Sequence, residues 1–168
     1  MYPSPSHLEL NEKAYIDLAT GLPNKNKCKE MLTARLAVSK PTACFMLYLN
    51  DLKVVNDTLG HEMGDLMILN FAKLLRQSIP PQYFVGRFGG DEFIIIAEGI
   101  ADKTEIEHMV EKIRNIVLKF NGAGGGFKIS YACGYAFSED YPPCSLTELL
   151  AIADQLMYED KKKIKSKR

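Results

Sequence analysis

At 168 residues, 46% apolar and 25% charged, the chain suits one domain large enough to bury its own core. No apolar run reaches the roughly 18 residues of a membrane span, and Met1-Tyr-Pro-Ser-Pro-Ser-His7 lacks signal-peptide character. The formal net charge is zero, yet residues 161–168 hold six basic residues and no acid, which leaves 15 basic against 21 acidic residues before them. No aromatics interleave with that basic run, so it reads as a solvated helix end complementing the helix dipole, not as a nucleic-acid surface. Cys28, Cys44, Cys133 and Cys144 form no CxxC pair and two fall in apolar runs, which predicts reduced thiols and a cytoplasmic location. The three histidines lie far apart and give no zinc pattern.

In chain order, Ser6-His-Leu-Glu9 fits a capping box and predicts a helix from His7 to Leu18, a connector ahead of the domain proper (residues 1–18, then 19–168). Gly21 and Pro23 break it. Asn24 can cap a second helix running to Ser39, with Met31, Leu32 and Leu36 on its apolar side. Ala43-Cys-Phe-Met-Leu-Tyr-Leu49 is apolar without alternation, as in a central strand covered on both faces. A short helical turn follows, then Gly60, then a helix from Glu62 to Ser78 that Pro80-Pro81 terminates. Phe84-Val85 and Phe93-Ile-Ile-Ile-Ala97 flank a Gly-containing turn and predict a hairpin, in which Gly89 and Gly90 are free to take positive φ. Thr104–Phe120 has helical period. Asn121-Gly-Ala-Gly-Gly-Gly126 lacks the lysine and following helix of a P-loop and reads as a connector. Phe127–Phe137 predicts a strand with Gly134 as a possible bulge, and Ser145-Leu-Thr-Glu148 caps a last helix reaching Lys163. Helix, strand, helix, strand, strand, helix, strand, helix is an α+β arrangement, one sheet with helices packed on it.

The hairpin tip, Gly89-Gly90-Asp91-Glu92-Phe93, sets two adjacent carboxylates at an exposed turn. Upstream lie Lys53-Val-Val-Asn56-Asp57, Gly60-His61-Glu-Met-Gly64-Asp65 and Thr20-Gly-Leu-Pro-Asn24. In this order and at these spacings, from Asp17 to Lys165, they resemble the GGDEF family, the diguanylate cyclase domains of bacterial cyclic di-GMP signalling. The resemblance implies a ferredoxin-like palm shared with polymerases and nucleotide cyclases. It implies a reaction in which two GTP molecules, held by two facing domains, form cyclic di-GMP and pyrophosphate with Mg2+ as cofactor. A catalytic form would therefore be a homodimer.

Carried over by motif, Asp91 and Glu92 are the hairpin metal acids and Leu49 offers a backbone carbonyl. Lys53 faces the phosphates, Asn56 and Asp65 read guanine, and Lys161, Lys165, Gly89 and Gly90 attend the phosphates. Lys165 stands where the family has arginine, which keeps the charge and loses the bidentate fork. The strand motif departs further: Tyr48 and Asn50 replace its two acids. Tyr48 is neutral at pH 7, Asn50 carries no charge, and Asp51, one residue off, would face the other way on a strand. Pro80 and Tyr83 stand where the family's product-binding RxxD would be. Arg87 reads as structural. Two readings follow. One is a GTP-binding regulatory domain with weak or no cyclase activity, beside an upstream sensor and a downstream EAL-type phosphodiesterase domain. The other is an active diguanylate cyclase with an altered metal site.

Overall fold

The computed structural model describes residues 14–34 and 38–167. Four strands, β1 (Thr42–Leu49), β2 (Phe84–Arg87), β3 (Glu92–Glu98) and β4 (Tyr131–Phe137), form one antiparallel sheet in the order β2-β3-β1-β4. Around it lie α1 (Lys25–Thr33), α2 (Leu52–Leu59), α3 (His61–Ser78), α4 (Lys103–Gly122) and α5 (Leu146–Ser166).

The apolar run of β1 is explained by two cores. Ala43, Phe45, Leu47 and Leu49 face a layer with Phe71 and Leu75 of α3 and Ile106, Ile113 and Val117 of α4. There Phe71 meets Phe93 edge-on at 5.1 Å between ring centroids. Cys44 and Met46 face the other way, with Ile94, Ile96, Ala132 and Ala136, onto Leu32 of α1 and Leu149, Ala153 and Met157 of α5. A strand buried on both faces has no polar side to show, so period two vanishes from its sequence.

Local chemistry sets the ends. Asn24 caps α1 by accepting from Lys27, and Ser145 with Glu148 forms the full capping box of α5. Most of the expected first helix lies outside the described residues. Within them only Ala14 and Tyr15 are helical, because Ile16 pairs with Pro23 and Asp17 accepts from the amide and hydroxyl of Thr20. The helix therefore stops before Leu18. The second helix ends at Thr33, short of Ser39; Leu36 lies outside the described residues.

β4 begins at Tyr131, not Phe127, since the Asn121 side chain already pairs both backbone groups of Ile129 at 2.8 Å. Gly134 is no bulge: it pairs in register with Met46. A Cβ there would come within 2.1 Å of the Met157 amide and 2.2 Å of the Ala153 carbonyl, so the glycine exists to let α5 lie on the sheet.

Candidate functional site

The site gathers where β1 ends beside the β2–β3 turn. Leu49 donates its amide to the Asp91 carbonyl at 2.8 Å and so ties the strand end to the hairpin tip; in an extended strand its carbonyl points the same way. Within the tip, the amides of Phe88 and Gly89 both donate to the Glu92 carbonyl. Arg87 donates to the carbonyls of Gly89 and Gly90 and, at 3.1–3.2 Å, to both carboxylate oxygens of Asp17. Arg87 thus sutures the tip to the turn before α1, as its structural reading expects. Neither Gly89 nor Gly90 uses its freedom to adopt positive φ. Gly89 is small because the Glu92 side chain approaches to 3.1 Å of where a Cβ would be, and beside Gly90 there is open space. Both border a cavity of about 460 Å³ shared with Asn24, Lys25 and Arg87.

On the α5 side, Tyr48, Asn50, Lys161 and Lys165 line one cleft together with Asp51 and Ile164. Asp51 departs from the strand-based expectation. β1 has ended, and Asp51 takes a left-handed turn at φ 65 ahead of α2, which swings it onto the cleft that Tyr48 lines. Aspartate tolerates that conformation better than most residues. Tyr48 pairs across the ladder with Glu92, so the two side chains share a face. The Lys161 ammonium sits 3.6 Å from the Tyr48 ring centroid. Asn50 is buried, and its amide donates to the Ser130 hydroxyl at 3.1 Å.

Burial, and then Asp91 beside its hydroxyl, pushes the Tyr48 phenol up to about 12, so it stays protonated. Burial, Asp91 and Asp154 push the Glu92 carboxyl above its ordinary range, against the pull of Lys25 and Lys161. A raised carboxyl favours its protonated form in the folded state. Ionised Glu92 therefore costs stability above its folded pKa, and the cost disappears as pH falls below the unfolded value. Glu92→Gln is expected to melt higher than the parent at pH 7 and level with it near pH 4. Equal melting temperatures at both pH values in a thermal-shift series would overturn this.

The expected guanine readers sit at the elbow between α2 and α3. Asn56 is half-buried, and its side-chain oxygen lies 1.7 Å from where a Cβ on Gly64 would be, so Gly64 is what leaves room for the amide. Asp65 follows on α3 and is exposed, as is Lys53 one turn before Asn56. At the positions of the product-binding pair, Pro80 and Tyr83 accept through their carbonyls from Arg76, and the buried Tyr83 hydroxyl is hydrogen-bonded to Glu105. Sequence reasoning missed Lys25 and directed Asp51 away from the site. Lys25 reaches the tip only through the placement of α1, and Asp51 only through its backbone turn.

The expected metal does not fit this donor set well. Magnesium takes hard oxygens, chiefly carboxylates. Here β1 supplies an aromatic ring under an ammonium, the residue after it an amide already engaged, and among the described residues no three His, Cys, Asp or Glu side chains group closely enough to hold a metal ion.

A family model described as "Diguanylate cyclase, GGDEF domain" matches residues 14–167. The signaling protein YkoW of Bacillus subtilis is 36% identical over 95% of this chain and 20% of its own length. A diguanylate cyclase of Vibrio cholerae is 29% identical over 92% of this chain and 50% of its own. The chain thus spans half or less of these curated relatives. Among solved structures, the GGDEF domain of TpbB (YfiN) from Pseudomonas aeruginosa matches with TM-score 0.76 and 26% identity, over 89% of this chain and 90% of that one. The S helix-GGDEF-EAL portion of Vibrio cholerae LapD, bound to c-di-GMP, matches with TM-score 0.79 and 25% identity, over 94% of this chain and 36% of that one. By fold, by ordered motifs and by a family match over nearly its whole length, the chain belongs to the GGDEF family of diguanylate cyclase domains.

Proposed function

We propose that this GGDEF domain binds GTP as a regulatory element of cyclic di-GMP signalling and has little or no cyclase activity. The observation that carries the reading is Tyr48: a neutral ring, cross-strand from Glu92 and capped by Lys161, stands where the family places a metal carboxylate. The nucleotide side is better furnished. Asn56 and Asp65 present an amide and a carboxylate suited to guanine O6 and to its N1 and N2 donors, and Lys53, Lys161 and Lys165 supply charge for the phosphates. Magnesium, where the family uses it, neutralises charge on the reacting phosphate. In this chain Asp91, Glu92 and the Leu49 carbonyl are the groups left to attend it.

The domain works within a longer cytoplasmic protein, with a sensor upstream and a phosphodiesterase domain of the EAL type downstream. Support comes from the short share of YkoW and of the Shewanella oneidensis cyclic di-GMP phosphodiesterase PdeB that the chain matches, 20% and 17%. Among the described residues no helix is long and apolar enough to cross a membrane. The second reading, an active homodimeric cyclase, is favoured by the intact Gly89–Phe93 tip.

GTP is expected to bind more tightly than ATP, as read by titration calorimetry. Asn56→Ala or Asp65→Ala leaves a base edge unpaired, which costs about 1–3 kcal/mol, and each 1.4 kcal/mol is about tenfold in affinity. Gly64→Ala, which displaces the Asn56 amide, should mimic Asn56→Ala. Equal affinity for the two nucleotides overturns the reading.

A further inference from the structure

We propose that the Lys161 ammonium, seated on the Tyr48 ring, takes the part of a divalent cation beside Asp91 and Glu92, so that this site binds GTP whether or not magnesium is present. The inference rests on the GTP reading above and concerns how that site meets a triphosphate.

The argument starts with what Tyr48 does to its surroundings. An acid at the end of β1 would attract a dissolved cation. A ring attracts one too, but its negative face suits an ammonium better than a small hydrated divalent ion, which surrenders water only to hard oxygens. Lys161 meets that preference at 3.6 Å from the ring centroid. The ring is held from both sides of the ladder, opposite Glu92 on β3 and Ala132 on β4. The lysine is held by α5, whose backbone rests on Gly134. Both partners are therefore positioned by the core and not by flexible loops.

The charges around the pair fit this role. Asp91 lies beside the Tyr48 hydroxyl, and Asp51 also bears on Tyr48. Glu92 feels Asp91 and Asp154 on one side and Lys25 from α1 and Lys161 from α5 on the other. Lys165, one turn beyond Lys161, lines the same cleft. A tethered ammonium is present at every magnesium concentration, so the carboxylates do not have to recruit a counter-charge before an anionic ligand approaches. The same substitution explains a loss of catalysis without a loss of binding. An ammonium is a single point charge and does not clamp two oxygens in fixed geometry as a divalent ion does.

The test is calorimetric titration of GTP into the wild-type protein, once with millimolar magnesium and once with EDTA. The two dissociation constants are expected to agree within about threefold, whereas a loss of about tenfold or more in EDTA overturns the inference while leaving the GTP reading intact. No binding in either medium overturns the GTP reading and the inference with it. Lys161→Gln separates the proposed role from plain phosphate contact. It is expected to open a gap of about tenfold between the two media, with magnesium restoring affinity. An equal loss in both media makes Lys161 an ordinary phosphate ligand and overturns the inference. Unchanged melting of Lys161→Gln, followed by circular dichroism, shows that the fold is not the cause.

Discussion

Purified protein supplied with GTP and magnesium is expected to form cyclic di-GMP roughly 100- to 1000-fold more slowly than a family member with both strand carboxylates, because one well-placed charge on the transition state contributes roughly 3–4 kcal/mol. The missing charge is not recovered by ionising what is there. The Tyr48 phenol is pushed up to about 12, and the Asn50 amide is engaged with Ser130. Asp51 has turned onto the cleft, but it sits past the strand end and its backbone is fixed by the left-handed turn into α2. Robust product formation at physiological magnesium, followed by chromatography of the reaction mixture, would overturn the regulatory reading in favour of an active cyclase. Tyr48→Asp with Asn50→Asp is the informative restoration. An aspartate at position 48 would lie under the Lys161 ammonium and so would not be buried without a partner.

The second large effect is expected on stability. Gly134→Ala places a methyl group within 2.1–2.2 Å of α5 backbone atoms, where no side chain can rotate away. Overpacking a well-filled contact costs about 1–3 kcal/mol, and backbone on the far side puts this variant at the upper end. For a domain of this size each kcal/mol lowers the melting temperature by about 2–4 °C, so a fall of about 6 °C or more is expected in a thermal scan. Gly122→Ala is the control. It meets nothing within 4 Å and lies in the last turn of α4, so it should hold stability or raise it by about 0.5–1 kcal/mol. Equal melting of both variants would mean that α5 does not bear on Gly134. Because α5 carries Asp154, Lys161 and Lys165, Gly134→Ala should also weaken GTP binding.

By itself the sequence determined the elements and the family. Asn24 and the Ser145–Glu148 box start their helices through side-chain oxygens only a few residues from the amides they cap. The unbroken apolar run of β1 announced a strand covered on both faces, and the ordered motifs from Thr20 to Lys165 announced a GGDEF domain. All of these are local or linear signals. Tertiary structure alone decided what Gly134, Asp51 and Lys161 do. Gly134 looks like a bulge in sequence, and only the crossing of α5 shows that it is a contact. Asp51 looks misdirected on an extended strand, and only the left-handed turn brings it to the cleft. Lys161 looks like the start of a solvated tail, and only the packing of α5 against β4 and β1 sets its ammonium on a ring 113 positions earlier in the chain. Each depends on groups distant in sequence meeting at a few ångströms, and no periodicity or spacing along the chain encodes such a meeting.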